Sequence, residues 1–263
     1  MEPRRSVPGV ILVTSCHKHL GTRVAEMALL RSDEFEGWPV HAVVGDPSLP
    51  REFELRGRLL VVRCEDSYVH LLKKVALAVR ALCGALYDVR HGVLRCGDDL
   101  EFDAAELRRF LRERERPGDA AHYAGRPVGL PAASERAAPA RHDPFMVHYY
   151  RGHPEDFRDP LHGLAGREDG FERYSVVPAG AYVSGVMLFL SARACALVVA
   201  HMEAVGFDVF AHDPLYGYPY IIEDVGIGHI LRRAGVPITP VHGMYDDHGL
   251  APGCIAHHSN RYK

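Results

Sequence analysis

The chain has 263 residues, enough for one large domain or two small ones, and its 47% hydrophobic and 25% charged content is ordinary for a globular protein. A net charge of −3 supplies no general attraction to nucleic acid or an anionic membrane, so a polyanion would need a local patch. The apolar stretch after the basic N-terminus is too short for a signal-peptide core or a transmembrane helix, and Cys16, Cys64, Cys83, Cys96, Cys195 and Cys254 form no C-x-x-C pair; a soluble, cytoplasmic chain with reduced thiols and no integral membrane segment is expected.

Val10-Ile11-Leu12-Val13-Thr14 follows Pro8-Gly9 and reads as a first buried strand that stops in Ser15-Cys16-His17-Lys18-His19. Leu20, Val24, Met27, Ala28 and Leu30 then recur at helical spacing. Residues 39–46 and 59–63 read as two further strands. A helix fits Tyr68 to Leu86, with Leu71, Leu72, Val75, Val79 and Leu82 on its apolar side and Lys73-Lys74 on the opposite, solvated side. Gly92 to Cys96 is another apolar strand. Strands alternating with helices over the first 115 residues predict an α/β fold, with parallel β-α units and helices on both faces of the sheet. No Gly-x-Gly-x-x-Gly follows the first strand and no Walker loop occurs, which favours a nucleotide held through a metal over one cradled by glycines.

The strand after Gly92 runs into Asp98-Asp99, and Asp103 then suits the N-cap of a helix. One cap leaves two acids unexplained. Beyond the carboxyl ends of strands in an open α/β sheet, where ligands bind, a carboxylate pair can hold a divalent cation that grips phosphate. Leu107 to Arg116 is an arginine-rich, solvated helix tail closed by Pro117-Gly118. From residue 119 to about 178 periodicity is poor, which predicts a long loop region beside the site, with 131–140 its most flexible part. Tyr182 to Leu190 is a strand, Ser191 an N-cap, and Ala192 to Val205 a helix. Glu223-Asp224 can begin a helix, where acids are favourable, and His257-His258 lies near the C-terminus, where histidines are often on the surface. Two carboxylates and an imidazole also suit a borderline-hard metal such as manganese.

In this order the motifs resemble the fringe-like β-1,3-galactosyltransferase and β-1,3-N-acetylglucosaminyltransferase family of inverting glycosyltransferases. The matching pieces are Leu12-Val13-Thr14-Ser15 with Arg23; Glu65-Asp66-Ser67-Tyr68-Val69-His70-Leu71-Leu72-Lys73-Lys74; Leu94-Arg95-Cys96-Gly97-Asp98-Asp99-Leu100; Tyr182-Val183-Ser184-Gly185 with Ser191 and Arg193; and Glu223-Asp224-Val225-Gly226-Ile227-Gly228. The resemblance implies a single GT-A type nucleotide-binding sandwich over residues 1–263: a Rossmann-like mixed sheet with helices on both faces, a nucleotide-sugar half over 1–118 and an acceptor-binding and catalytic half over 119–263. It implies a Mn2+ (or Mg2+) ion, a UDP-sugar donor and a glycan or glycoconjugate acceptor, with no nucleic acid partner. Asp224 would be the base with Glu223 beside it, and Asp99 the metal ligand together with His257 or His258. Thr14, Ser15, Arg23, Asp66, Lys73, Asp98, Tyr182, Ser184 and Gly185 would surround the donor. Gly97, His70 and Leu72 depart from the family pattern, the first where an acid is usual. Two other classes compete: a non-catalytic nucleotide-sugar or glycan-binding module on the same fold, and a metal-dependent hydrolase, which would want His-x-His or His-Glu-x-x-His and finds neither.

Overall fold

In β1 (Arg5–Thr14), Val10 to Val13 are fully buried, so both faces of the strand must be covered, and the chain meets that need with parallel neighbours and helices on either side. The computed structural model describes residues 4–129, 141–142, 144–169, 171–177, 180–248 and 251–262; the loop expected at 131–140 lies outside them. In chain order follow β2 (Glu34–Phe35), β3 (Trp38–Gly45), β4 (Phe53–Arg56), β5 (Leu59–Val62), α1 (Leu71–Ala81), β6 (Tyr87–Gly97), β7 (Leu100–Phe102), α2 (Ala104–Arg114) and β8 (Tyr123–Val128). Then come β9 (Arg141–His142), α3 (Pro144–Gly152), β10 (Val176–Val177), β11 (Tyr182–Ser191), α4 (Ala192–Ala204), α5 (Glu223–Arg233), β12 (Ile238–Pro240), β13 (Tyr245–Asp246) and β14 (Ala256–His258).

The main sheet runs β12-β8-β11-β6-β1-β3-β5-β4, with β2 paired to β3. β6, β1, β3 and β5 are mutually parallel, while β11, β8 and β4 make antiparallel contacts, so the fold is mixed α/β around a mixed sheet. One core lies between the sheet and α1, α4 and α5, through Leu72, Val75, Val198 and Ile227. The other packs Leu107, Phe110 and Leu111 of α2 against Ile11, Trp38 and Phe189. Asp103 caps α2 by accepting from the N–H groups of Ala105 and Glu106, and Ser191 caps α4 by accepting from Ala194. Among the described residues no helix is long and apolar enough to cross a membrane, and all six cysteines are unbridged.

Three segments differ from expectation. The stretch from Leu20 to Leu30 is no continuous helix: a π turn at Leu20–Val24 and a 3-10 turn at Ala28–Arg31 are separated at Met27, whose backbone is extended. Gly21, Thr22 and Val24 are weak helix formers, so the apolar spacing alone does not close the ladder. The region 119–178 is not one long loop, since β8 enters the main sheet beside β11 and α3 forms further on. Aromatic packing organises the latter part: Tyr150 lies 4.7 Å from Phe171, and Phe157 lies 5.2 Å from it.

The third difference is Lys74. On α1 it points into the molecule, is 2% exposed, and places Nζ 2.5 Å from Asp66 Oδ1 and 2.8 Å from the Ser15 carbonyl. Asp66 also accepts from the backbone N–H of Gly45 (2.8 Å) and of His17 (2.7 Å). Burial alone would raise the Asp66 carboxyl, but Lys74 and these amides hold it below its ordinary value. A carboxyl depressed in this way stabilises the fold above its unfolded pKa, near 3.9, and that contribution is lost as pH falls through the folded value. Lys74→Met should therefore destabilise the protein by about 3–5 kcal/mol at neutral pH, because it strands a buried carboxylate, and by less below about pH 4. Urea unfolding at the two pH values checks this; an equal loss at both would reject an ionic origin.

Candidate functional site

The parallel strands β3, β1 and β6 end side by side, at the edge of the sheet where open α/β folds leave a crevice for ligands. There the two adjacent acids diverge. Asp98 is 6% exposed; its Oδ2 accepts from Ser15 Oγ at 2.6 Å and lies 2.9 Å from His19 Nδ1, while Oδ1 accepts from Arg23 Nη1 at 3.3 Å. Thr14 Oγ1 donates to the Cys96 carbonyl at 3.0 Å. Thr14, Ser15, Arg23 and Asp98 thus fasten the segment after β1 to the end of β6. Asp66, with its side chain 1% exposed, stands behind the crevice wall, and Lys73 Nζ bonds Glu65 Oε2 at 2.7 Å.

Asp99 faces the C-terminal tail. β14 pairs antiparallel with β7, with His258 opposite Leu100, and this register brings His258 Nδ1 to 3.2 Å from Asp99 Oδ2. Consecutive strand residues point to opposite faces, so His257 turns the other way, with Nε2 3.7 Å from Glu101 Oε2. The other ring nitrogen of His258 lies 3.8 Å from Asp247 Oδ1. As a metal platform this is one carboxylate and one imidazole. Among the described residues no three His, Cys, Asp or Glu side chains are grouped to hold an ion. A carboxylate and an imidazole are donors that manganese accepts together, and two such groups are fewer than an ion needs.

Glu223 and Asp224 open α5, where the helix dipole favours acids, yet they also part company. Glu223 is 4% exposed and points at the sheet, where Oε2 meets Arg95 Nη2 at 3.0 Å. Burial pushes its carboxyl up to about 7, Arg95 pulls against that, and Asp224 adds to it. Asp224 is half-buried, and its Oδ2 accepts the Gly185 N–H at 2.8 Å. A Cβ on Gly185 would lie 3.1 Å from both Asp224 Oδ2 and Glu223 Oε2, so the bare backbone is what lets the two acids approach β11. The register Met187 to Cys96 sets Gly185 beside the end of β6. At that end a Cβ on Gly97 would fall 2.9 Å from Asp99 Oδ1. Asp99 and Asp224 therefore stand over glycines on adjacent strands. Ser184 Oγ accepts from the Tyr245 hydroxyl at 2.8 Å, and Tyr182 packs its Cβ against Gly228 of α5.

Arg95, Tyr245, Asp247 and Arg126, which bonds Asp247 at 2.9 Å, belong to this neighbourhood without having been anticipated from sequence. Arg95 carried a signal, a charge inside the apolar run Val93-Leu94-Arg95-Cys96. A separate cavity of about 420 Å³ reaches Asp98 and Glu101 from the α2 side, between Met27, Phe35, Phe102 and Leu107. It does not include Asp99, His258 or Asp224.

Because the Glu223 carboxyl is raised above its unfolded value near 4.3, the folded state holds the extra proton from about pH 4 to pH 7, and stability falls as pH rises through that window. Glu223→Gln should remove this part of the pH dependence, worth roughly 1.4 kcal/mol per unit of pKa displacement. Urea unfolding at about pH 5 and about pH 8 measures it; a slope unchanged by the substitution would show that Glu223 ionises normally.

In comparisons with known proteins, no protein-family model matches the chain and no curated protein matches it.

Proposed function

We propose that the protein is a metal-dependent inverting glycosyltransferase of the GT-A type, moving a sugar from a UDP-sugar to a hydroxyl of a glycan acceptor. The observation that carries this is the pairing across two adjacent strands: Asp99 with His258 over Gly97, and Asp224 over Gly185. An inverting displacement needs a base for the attacking hydroxyl and, on the other side of the anomeric carbon, a group that offsets the charge growing on the departing diphosphate. Two acids standing over glycines of neighbouring strands, one in the turn after β6 and one at the start of α5, are suited to these two needs.

Asp224 is the base. The residue is half-buried, and the N–H groups of Gly185 and Val225 hold its two carboxylate oxygens in orientation, which suits it to take the acceptor proton. Glu223 is turned inward to Arg95 and positions the start of α5; it is not the base. A divalent ion held by Asp99 and His258 would neutralise diphosphate charge. Ser15, Arg23 and His19, locked on Asp98, form the wall on the nucleotide side.

Asp224→Asn should lower UDP release from a UDP-sugar in the presence of acceptor by about 10²–10⁴-fold while leaving UDP binding within a few-fold. Turnover equal to the parent protein would exclude Asp224 as the base, and release that does not need an acceptor would turn the assignment toward hydrolysis. With two protein donors among the described residues, Mn2+ alone should bind weakly and UDP should tighten it by at least about tenfold, a coupling of about 1.4 kcal/mol, and His258→Ala should reduce that coupling. Electron paramagnetic resonance of Mn2+ with and without UDP reads this directly; tight binding of the ion without nucleotide would show a fuller protein ligand set.

A further inference from the structure

Although the chain is net negative, one concavity gathers positive charge. Toward the amino-terminal end of β6, a cavity of about 290 Å³ is walled by Arg90, His91, Arg114, Arg116, His122 and Arg193, with Asp119 as its acid. Arg90 and Gly97 lie on the same strand, so at about 3.3 Å per residue the cavity is roughly 20 Å from the Asp99 and Asp224 site. Arg90, Arg116 and Arg193 are exposed. The ion pairs in the wall run from Arg114 to Asp119 and Glu113 and leave those three guanidinium groups without a carboxylate among the described residues.

Two further features point inward. Arg114 lies over the rings of Phe110 and Phe189, with its side chain 11% exposed; its Nε is 3.3 Å from Asp119 Oδ2, and its Nη1 is buried without a hydrogen-bond partner. The cavity also contains the start of α4, residues Ser191, Ala192 and Arg193. Ser191 Oγ accepts from Ala194, and the N–H groups of the preceding helical residues have no acceptor within the helix. Clustered arginines repel one another unless an anion sits among them, and their planar forks suit the oxygens of phosphate better than those of a single carboxylate. A helix amino terminus adds attraction of the same sign.

We propose that this cavity is a second binding site, specific for a compact multivalent oxyanion of the phosphate-ester or pyrophosphate class and independent of divalent metal. The anion lies between Arg90 and Arg193, against the first turn of α4, with Arg114 behind it and Arg116 at the rim. Nothing in this assignment depends on the glycosyltransferase proposal.

Calorimetry on the full chain, at low salt with chelator present, tests it with inorganic pyrophosphate and orthophosphate as probes. Pyrophosphate should bind, orthophosphate more weakly, and Arg90→Ala with Arg193→Ala should weaken pyrophosphate about tenfold for each arginine removed, the scale of one charge-assisted hydrogen bond. Both residues are exposed, so the variants should unfold as the parent does, and the double substitution Arg90→Lys with Arg193→Lys should retain intermediate affinity. Binding should persist in Asp99→Ala. Absence of pyrophosphate binding, the same affinity in the double alanine variant, or loss of binding in Asp99→Ala would each overturn the proposal, the last by placing the anion at the other site. Failure of sugar transfer would leave these measurements intact, so the two proposals fail separately.

Discussion

A lysine withdrawn from water and set on Asp66 joins three pieces of the chain that otherwise meet only through the sheet. Asp66 accepts from Lys74 of α1, from the amide of Gly45 at the end of β3 and from that of His17 just after β1, while Lys74 reaches on to the Ser15 carbonyl. Removing two charges from water costs several kcal/mol per ion, and mutual attraction recovers that only where further bonds satisfy the remaining donors and acceptors. Asp66 has those bonds. The pair gives order more than stability: it fixes where β1 and β3 hand over to their loops, and therefore where Ser15, His19 and Arg23 stand when they close on Asp98.

A second buried pair, Arg95 with Glu223, joins the middle strand of the sheet to the beginning of α5. It is less completely satisfied. Nε and Nη1 of Arg95 and Oε1 of Glu223 are buried without a partner, and burial leaves the Glu223 carboxyl near 7. The two pairs bracket the crevice, one behind the end of β1 and one behind the end of β6, with Asp98, Asp99 and Asp224 at its edge. Fixed surroundings of this kind favour catalysis or tight recognition, because groups that are already oriented lose little entropy when a ligand arrives.

Much of this frame was legible before any coordinates. Continuous apolar runs marked β1, β3, β5, β6 and β11, and the short polar residues Asp103 and Ser191 stood where helices begin. Lys74 was not legible. Helical periodicity sorts residues by polarity, and a lysine beside another lysine is assigned to water unless its acid is known to lie inside; Asp66 is brought there by the end of β3, which a local window does not contain. β8 escaped for a different reason. Tyr123-Ala124-Gly125-Arg126-Pro127-Val128 has neither alternation nor an apolar run, and it holds its place because β11 lies on one side and β12 on the other.

The same limit governs the acids. Asp98 and Asp99 are adjacent and chemically identical, so spacing treats them as a pair and only the resemblance gave them separate roles; in the structure one turns back to Ser15, His19 and Arg23 while the other meets His258 from the far end of the chain. Glu223 and Asp224 repeat the division, one inward to Arg95 and one held at Gly185. In each pair partners distant in sequence decide which carboxylate turns into the protein and which stands at the edge of the crevice. Gly97 gains a physical meaning from this. A side chain there would meet Asp99 Oδ1, so the bare backbone of Gly97 gives the Asp99 carboxylate room to lie back over the strand end, where it meets one ring nitrogen of His258 while the other faces Asp247. The absence of a side chain at position 97 and the placement of the Asp99 carboxylate are then one structural fact.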